Sequence, residues 1–267
     1  MRKFFIFRQM IITSAHYFKQ PPKKIISLVP SLSELLYYLG LDNEVIGITK
    51  FCVHPKDWVT AKMRIGGTKS INIDLIKELQ PHLVIANKEE NVKEQIEELA
   101  KDFDVWVTDV NTLDNALLMI INIGELTYKK NEALELVKRI KTNFYQLPIA
   151  NPQLKACYLI WQNPFMTIGG DTFINDMMKH CGLKNIFETN TRYPEITIEQ
   201  LLKSSCELIL LSSEPFPFKQ KHVDELQKML PGKKLILVDG EMFSWYGSRL
   251  LLAPEYFKNL INSLGHL

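Results

Sequence analysis

The chain has 267 residues, 46% of them hydrophobic and 23% charged, and a formal charge of +2. That length allows one large domain or two small ones, with enough apolar material for a soluble globular core. A charge this nearly balanced, with no long basic run, speaks against a phosphate-tracking groove, so no nucleic-acid partner is expected.

Residues 1–22 read as a β-rich N-terminal leader. Arg2-Lys3 before Phe4-Phe5-Ile6-Phe7 has the outline of a secretory signal, but Arg8 and Gln9 cut the apolar run short of a signal core. The first cysteine is Cys52, so no lipoprotein cysteine follows. As written, the leader carries no clear export signal and the sequence no membrane-spanning helix, which leaves a cytoplasmic location open.

A first lobe is expected over 23–110. Residues 24–29 predict a short buried strand, which Pro30-Ser31 breaks. Ser31 or Ser33 is placed to cap a helix over 34–39, and Gly40 to end it in the left-handed conformation. Residues 45–48 predict the next strand. Strand, helix and strand in that order, with short apolar runs, predict a parallel sheet covered on both faces. Gly66-Gly67 marks a loop, residues 89–101 a charged helix, and residues 105–107 a closing strand.

Residues 111–148 predict a helical linker. Leu113, Leu117, Ile120 and Ile121 recur at helical spacing, and Gly124 with residues 128–131 divides the stretch in two. The second piece, 131–144, places Leu134, Val137 and Ile140 on one face and would span roughly 20 Å. Such a helix suits a strut between lobes. A second lobe is expected over 149–267, with a strand at 156–161, a loop holding Gly169-Gly170, a helix at 173–180, a strand at 235–238 and a helix at 254–264. Gly182-Leu183 after the 173–180 helix echoes Gly40-Leu41.

Two distant stretches align without a gap. Residues 73–86 and 198–211 each read as a short amphipathic helix running into a buried strand, with Ile73 matching Ile198, Ile76 matching Leu201, and Leu83-Val84-Ile85 matching Leu208-Ile209-Leu210. Each copy carries one acid at the same place, Asp74 and Glu199. Two similar lobes follow from the repeat, and a cleft between lobes is a common place for a small ligand.

Chemistry-bearing motifs are sparse. The four cysteines form no C-x-x-C pair, so neither a zinc knuckle nor a redox motif is present, and Cys157 and Cys206 are expected to pack as small apolar groups. Cys52 and His54 could form a ligand pair or simply pack and hydrogen-bond in a loop; four-ligand structural zinc needs more than they offer, and no metal site is expected. There is no G-x-S-x-G elbow, Walker loop, strand-linked G-x-G-x-x-G or H-E-x-x-H, so no catalytic residue is assigned and no enzyme is expected.

Residues 25–35, Gly47-Ile48-Thr49, Gly66-Gly67 and above all Asn72-Ile73-Asp74 through Leu79-Gln80-Pro81-His82-Leu83-Val84-Ile85-Ala86 resemble the helical-backbone (class III) substrate-binding proteins of ABC importers, and within them the cobalamin-binding branch. The resemblance implies an α/β fold of two similar lobes with short parallel sheets, joined by a single long backbone helix, with the ligand cleft between them. It implies a periplasmic monomer that binds a small molecule, a corrinoid or related metal chelate, and docks on the transporter's membrane subunits. Ferric siderophore and haem binding are the alternatives within the family, and a cytoplasmic corrinoid- or haem-processing enzyme or carrier the alternative outside it. No cofactor is implied beyond the ligand, itself a metal-containing macrocycle or chelate.

In this family one exposed acid per lobe meets arginines of the transporter, a role that falls here on Asp74 and Glu199; both equally suit the first turn of a helix. Ligand contacts are expected from Phe51, Cys52, His54, Thr68, Lys69 and Asn87 in the first lobe, and from Phe165, Tyr193, Trp245, Tyr246 and Arg249 in the second. Trp245 and Tyr246, beside Gly247 and Ser248, are expected to be exposed in a loop. Arg249 would meet an anionic group of the ligand or pair with Asp239 or Glu241. The cobalamin branch commonly has aromatic residues where this chain has Thr68 or Lys69, and Asn87.

Overall fold

Five short parallel strands, in sheet order Met63–Arg64, Val45–Ile48, Ile25–Ser27, Leu83–Asn87 and Val105–Thr108, organise the first half of the chain. The computed structural model describes residues 20–147 and 154–265. The leader expected over 1–22 falls almost entirely outside them. The described residues fall into two compact units: 20–110, 114–139 and 246–249, and 111–113, 140–147, 154–245 and 250–265.

The first unit runs β1 (Ile25–Ser27), α1 (Pro30–Tyr38), β2 (Val45–Ile48), α2 (Lys56–Ala61), β3 (Met63–Arg64), α3 (Ile73–Leu79), β4 (Leu83–Asn87), α4 (Lys93–Leu99) and β5 (Val105–Thr108). α5 (Leu113–Leu126) and α6 (Lys130–Tyr145) follow, and the division between the units falls inside α6, after Arg139. β1 and β4 are buried on both faces, as continuous apolar runs in a covered parallel sheet should be. Ile26, Leu28, Val84 and Ala86 turn to one face and pack with Ile76 of α3 and Ile96 and Leu99 of α4. Gly66 has φ +99° and a Cβ there would stand 2.4 Å from the Ser70 carbonyl oxygen, so the loop expected at Gly66-Gly67 needs glycine.

The second unit runs β6 (Leu154–Leu159), β7 (Phe165–Met166), α7 (Phe173–His180), β8 (Leu183–Asn185), β9 (Glu195–Ile196), α8 (Ile198–Lys203), β10 (Leu208–Ser212), α9 (Gln220–Met229), β11 (Lys234–Val238), α10 (Glu241–Ser244) and α11 (Ala253–Leu264). Its main sheet is four-stranded and parallel, in the order β11-β10-β6-β8. This repeats β5-β4-β1-β2 of the first unit, strand for strand. The aligned stretches are therefore equivalent: α3 and β4 answer to α8 and β10. Val84 and Ala86 match Ile209 and Leu211, and Ile76 matches Leu201, on the helix-covered face of each sheet. Asn72 caps α3 by accepting from the Leu75 N–H, and Thr197 caps α8 through a reciprocal bond pair with Gln200.

Local expectations needed correction at several points. Ser31 and Ser33 do not cap α1. Pro30, whose fixed φ suits a first helical position, starts the helix early, with Val29 as the cap residue. Ser33 Oγ instead bonds the Val29 carbonyl and Ser27 Oγ, at 3.0 and 2.9 Å. The charged helix expected from 89 begins at Lys93, because Asn87 and Asn91 hold residues 88–92 as a turn. On α6 the buried face is Ala133, Leu136, Val137, Ile140 and Phe144, whereas Leu134 is 43% exposed. Gly40 and Gly182 do take the left-handed conformation after α1 and α7. All four cysteines are free and buried. Among the described residues no helix is long and apolar enough to cross a membrane.

Candidate functional site

In open parallel sheets, ligands gather outside the carboxyl ends of the strands, where the strand order reverses. In the first unit that point lies between β1 and β4, and in the second between β6 and β10.

At the first switch point Asn91 is the organising residue. Its Nδ2 donates to the Leu28 and Thr68 carbonyls, at 3.2 and 3.1 Å, and its Oδ1 accepts from the Asn87 N–H at 2.8 Å. One amide thereby ties the end of β1, the end of β4 and the glycine loop together. Asn87, expected to touch ligand, is 2% exposed and committed elsewhere. Its Nδ2 donates to Thr108, and its Oδ1 accepts from the Glu89 and Glu90 N–H groups. Lys69 is exposed and donates to the Glu89 carbonyl at 2.5 Å. Thr68 is half-buried beside it.

After β2 the loop residues separate sharply. Phe51 is 52% exposed and Val53 48%, whereas Cys52 is 1% exposed. Cys52 Sγ lies 3.1 Å from Ser33 Oγ and 3.4 Å from Thr49 Oγ1. Burial pushes its thiol pKa up, and the hydroxyl contacts only partly oppose this. His54, two residues on, is half-buried. Among the described residues no three His, Cys, Asp or Glu gather where they could hold a metal ion.

The expectation of exposure at Trp245 and Tyr246 is overturned: they are 6% and 5% exposed. Trp245 Nε1 donates to Glu214 Oε1 at 2.9 Å, and Ser244 Oγ donates to the same oxygen at 2.6 Å. Burial raises the Glu214 pKa; the Ser244 bond opposes it, the charge of Glu241 adds to it, and the Trp245 bond opposes it in turn. Tyr246 donates to Glu90 Oε1 at 3.3 Å. Arg249 pairs with Glu34 on α1, at 2.6 Å. The sequence offered no hint of this, because Glu34 and Arg249 meet only once the chain is folded.

In the second unit Phe165 is half-buried in β7, paired with Ile196, and Tyr193 is half-buried with the Arg192 guanidinium 6.0 Å from its ring centre. Two aromatics absent from the sequence reading stand at the β6–β10 switch point. Trp161, just past β6, is 39% exposed. Its ring meets Phe216, past β10, edge-on at 5.7 Å, and Phe216 packs on Phe218 and His222. The one available signal was Pro215-Phe216-Pro217, a proline-bracketed ring held out of regular structure.

Asp74 on α3 and Glu199 on α8 are both exposed, each one residue after the matched isoleucine. Glu199 is paired along its helix with Lys203, at 2.6 Å. A hollow of about 530 Å³ lies at the other end of the first sheet, bordered by Lys23, His82, Asp102 and Asp104, away from the loops described above.

Comparison with known proteins agrees with this geometry. The sequence profile described as periplasmic binding protein matches residues 25–231. An uncharacterized ABC transporter substrate-binding lipoprotein of Bacillus subtilis is 28% identical over 204 residues, 72% of this chain and 64% of that protein, so the match spans just under two thirds of it. A vitamin B12-binding protein of Photorhabdus laumondii is 24% identical over 256 residues, 94% of this chain and 92% of its own. The crystal structure of the periplasmic vitamin B12 binding protein of Vibrio cholerae superposes with a TM-score of 0.77 at 21% identity, over 92% of this chain and 99% of that one, a likeness of fold.

Proposed function

Because the chain belongs to the periplasmic binding protein family, we propose that it is the substrate-binding component of an ABC importer and that its ligand is a corrinoid or a related metal chelate. The observation that carries the ligand class is the exposure of large rings at the carboxyl ends of both sheets: Phe51 in the first unit, Trp161 and its neighbour Phe216 in the second. Aromatic side chains offer wide apolar area at small entropic cost, which suits a flat macrocycle. Relatives named as vitamin B12-binding proteins support the same class.

Asp74 and Glu199 serve as the docking carboxylates. They occupy equivalent places on equivalent helices, and two fixed charges set orientation and speed encounter with a cationic partner surface. A location outside the cytoplasmic membrane goes with this reading, as the vitamin B12 binding protein of Vibrio cholerae is named periplasmic; fractionation of the producing cell checks this directly.

Visible spectra of the purified protein titrated with cyanocobalamin, haemin and a ferric hydroxamate siderophore test the ligand class. Saturable binding of cyanocobalamin below about 10 μM supports the reading. Preference for haemin or the siderophore moves the assignment within the family, and no saturable change with any of them overturns it.

A further inference from the structure

Lys50 and Phe51 stand at the tip of a clamped turn in the first unit. β2 ends at Ile48, and the residues on either side of the tip, Thr49 and Cys52, are 0% and 1% exposed. The Cys52 N–H donates to the Thr49 carbonyl at 3.2 Å, and the Lys50 N–H to the Gly66 carbonyl at 2.8 Å. Arg64 on β3 donates through Nη1 to the Thr49 carbonyl at 2.6 Å and to the Cys52 carbonyl at 3.3 Å. With both flanks anchored inward, the two residues between them are presented to solvent.

The side chains of this tip are placed as well as its backbone. A Cβ at Gly67 would stand 3.1 Å from Phe51 Cε2 and 3.2 Å from Lys50 Cε, so the bare glycine lets both side chains rest on the 66–70 loop. Lys50 Nζ lies 5.2 Å from the centre of the Phe51 ring, which stays half open to water. Among the described residues Lys50 has no carboxylate partner, and Lys69, exposed on the same glycine loop, adds a second positive charge. An exposed ammonium gains little from a ring face alone. An anion brought beside it by a bound ligand gains more, because the pair forms partly out of water and the cation is already in position.

A ring and a fixed positive charge, side by side at the carboxyl end of a sheet, suit a flat molecule that carries an anion at its edge. We infer that Lys50 and Phe51 form one subsite, in which Phe51 packs on the ligand's apolar surface and Lys50 pairs with a negatively charged group attached to it. Lys50 is thus a specificity-determining residue. The inference rests on the macrocycle reading and adds the charge of the group recognised. Two kinds of macrocycle offer such a group: the phosphodiester of a corrinoid with its nucleotide arm, and the carboxylates of a porphyrin.

The probes are cyanocobalamin, which carries the phosphodiester, and dicyanocobinamide, which lacks the nucleotide arm. Lys50→Gln is expected to weaken cyanocobalamin about fivefold and to change dicyanocobinamide by no more than about twofold, with Lys50→Arg restoring most of the loss. The comparison is between variants for each ligand, so contacts of the arm that do not involve Lys50 cancel. Raising salt about tenfold should weaken cyanocobalamin in the unmodified protein and much less in Lys50→Gln. The melting temperature of ligand-free Lys50→Gln should hold, since the side chain is exposed. If haemin binds and the corrinoids do not, haemin and its dimethyl ester replace the pair, with the same loss expected for the acid and not for the ester. Equal losses for the charged and uncharged members, or no loss for either, overturn the anion pairing and leave the macrocycle reading standing. A lowered melting temperature with losses shared by both members makes Lys50 a structural residue and overturns it too. Failure of the corrinoids and haemin alike to bind overturns the macrocycle reading, and the subsite with it.

Discussion

Arg249 grips Glu34 with two nitrogens, Nε at 3.1 Å and Nη2 at 2.6 Å, across 215 positions of sequence. The two side chains are 9% and 19% exposed, so water does little to screen them. The pair fastens the short segment 246–249 to α1 within the first unit. Removing one partner strands the other charge in a poorly solvated place, which typically costs about 3–5 kcal/mol. Arg249→Met is therefore expected to lower unfolding free energy by about that amount in urea titrations. Arg249→Met combined with Glu34→Leu should recover most of it, because the stranded charge is gone.

Gly124 gives a second stability test with an unusual sign. It sits within α5, where alanine is the better helix former by about 1 kcal/mol. A Cβ there would stand 2.4 Å from the Cβ of Ala133 and 3.0 Å from the Lys129 carbonyl oxygen. Overpacking of this kind costs about 1–3 kcal/mol and outweighs the propensity. Gly124→Ala is expected to destabilise, and a raised melting temperature would show that α5 and α6 yield at their close approach.

Exposed rings and buried rings should behave oppositely. Phe51→Ala and Trp161→Ala remove side chains that are 52% and 39% exposed, so stability should hold while ligand affinity falls roughly tenfold, about 1.4 kcal/mol each. Trp245→Ala removes a ring that is 6% exposed and bonded to Glu214, and should cost about 3–5 kcal/mol of folding stability. Thermal unfolding beside a cyanocobalamin titration separates the two classes.

The two matched acids give a functional prediction. Asp74→Arg and Glu199→Arg reverse exposed charges on α3 and α8 without touching the core residues Ile76 and Leu201. Ligand-driven ATP hydrolysis by the reconstituted transporter is expected to fall at least tenfold, with ligand affinity unchanged. Lost ligand affinity would place these acids in the ligand site instead.

Glu214 links stability to pH. Burial raises its pKa in the folded protein above the ordinary carboxylate value of 4.5. Between the two values the folded state holds the proton more often than the unfolded state, so stability rises as pH falls through this window. Above the window the folded protein carries the full penalty of a buried charge. Glu214→Gln is thus expected to be more stable than the parent at neutral pH, with the difference fading once pH drops below the ordinary carboxylate range. A constant difference across that range, followed by denaturant titration at several pH values, would show that the carboxyl titrates normally.

Much of the architecture was legible because period and punctuation agree with packing. The matched helix and strand at 73–86 and 198–211 were readable since each isoleucine, acid and apolar triplet falls in the same register, and that register also sets which residues face the helices. The phase of α6 was misread at Leu134, because Leu136 and Ala133 make the buried stripe and alanine gives little hydrophobic signal. The site was less legible. Trp245 and Tyr246 sit in loop-like sequence, yet their burial is set by Glu214 and Glu90, residues distant in the chain. Asn87 reads as a polar loop tip, but its bonds to Thr108 and to two N–H groups make it internal scaffolding. Trp161 and Phe216 escaped notice because neither position shows, from sequence alone, that β6 and β10 are neighbours.

One strand order used twice, β2-β1-β4-β5 and β8-β6-β10-β11, furnishes a built-in control experiment. A substitution at Val84 has a natural twin at Ile209, in the same layer and under the same kind of helix. Where paired changes give unequal losses, the inequality measures how differently the two halves fill the same strand plan.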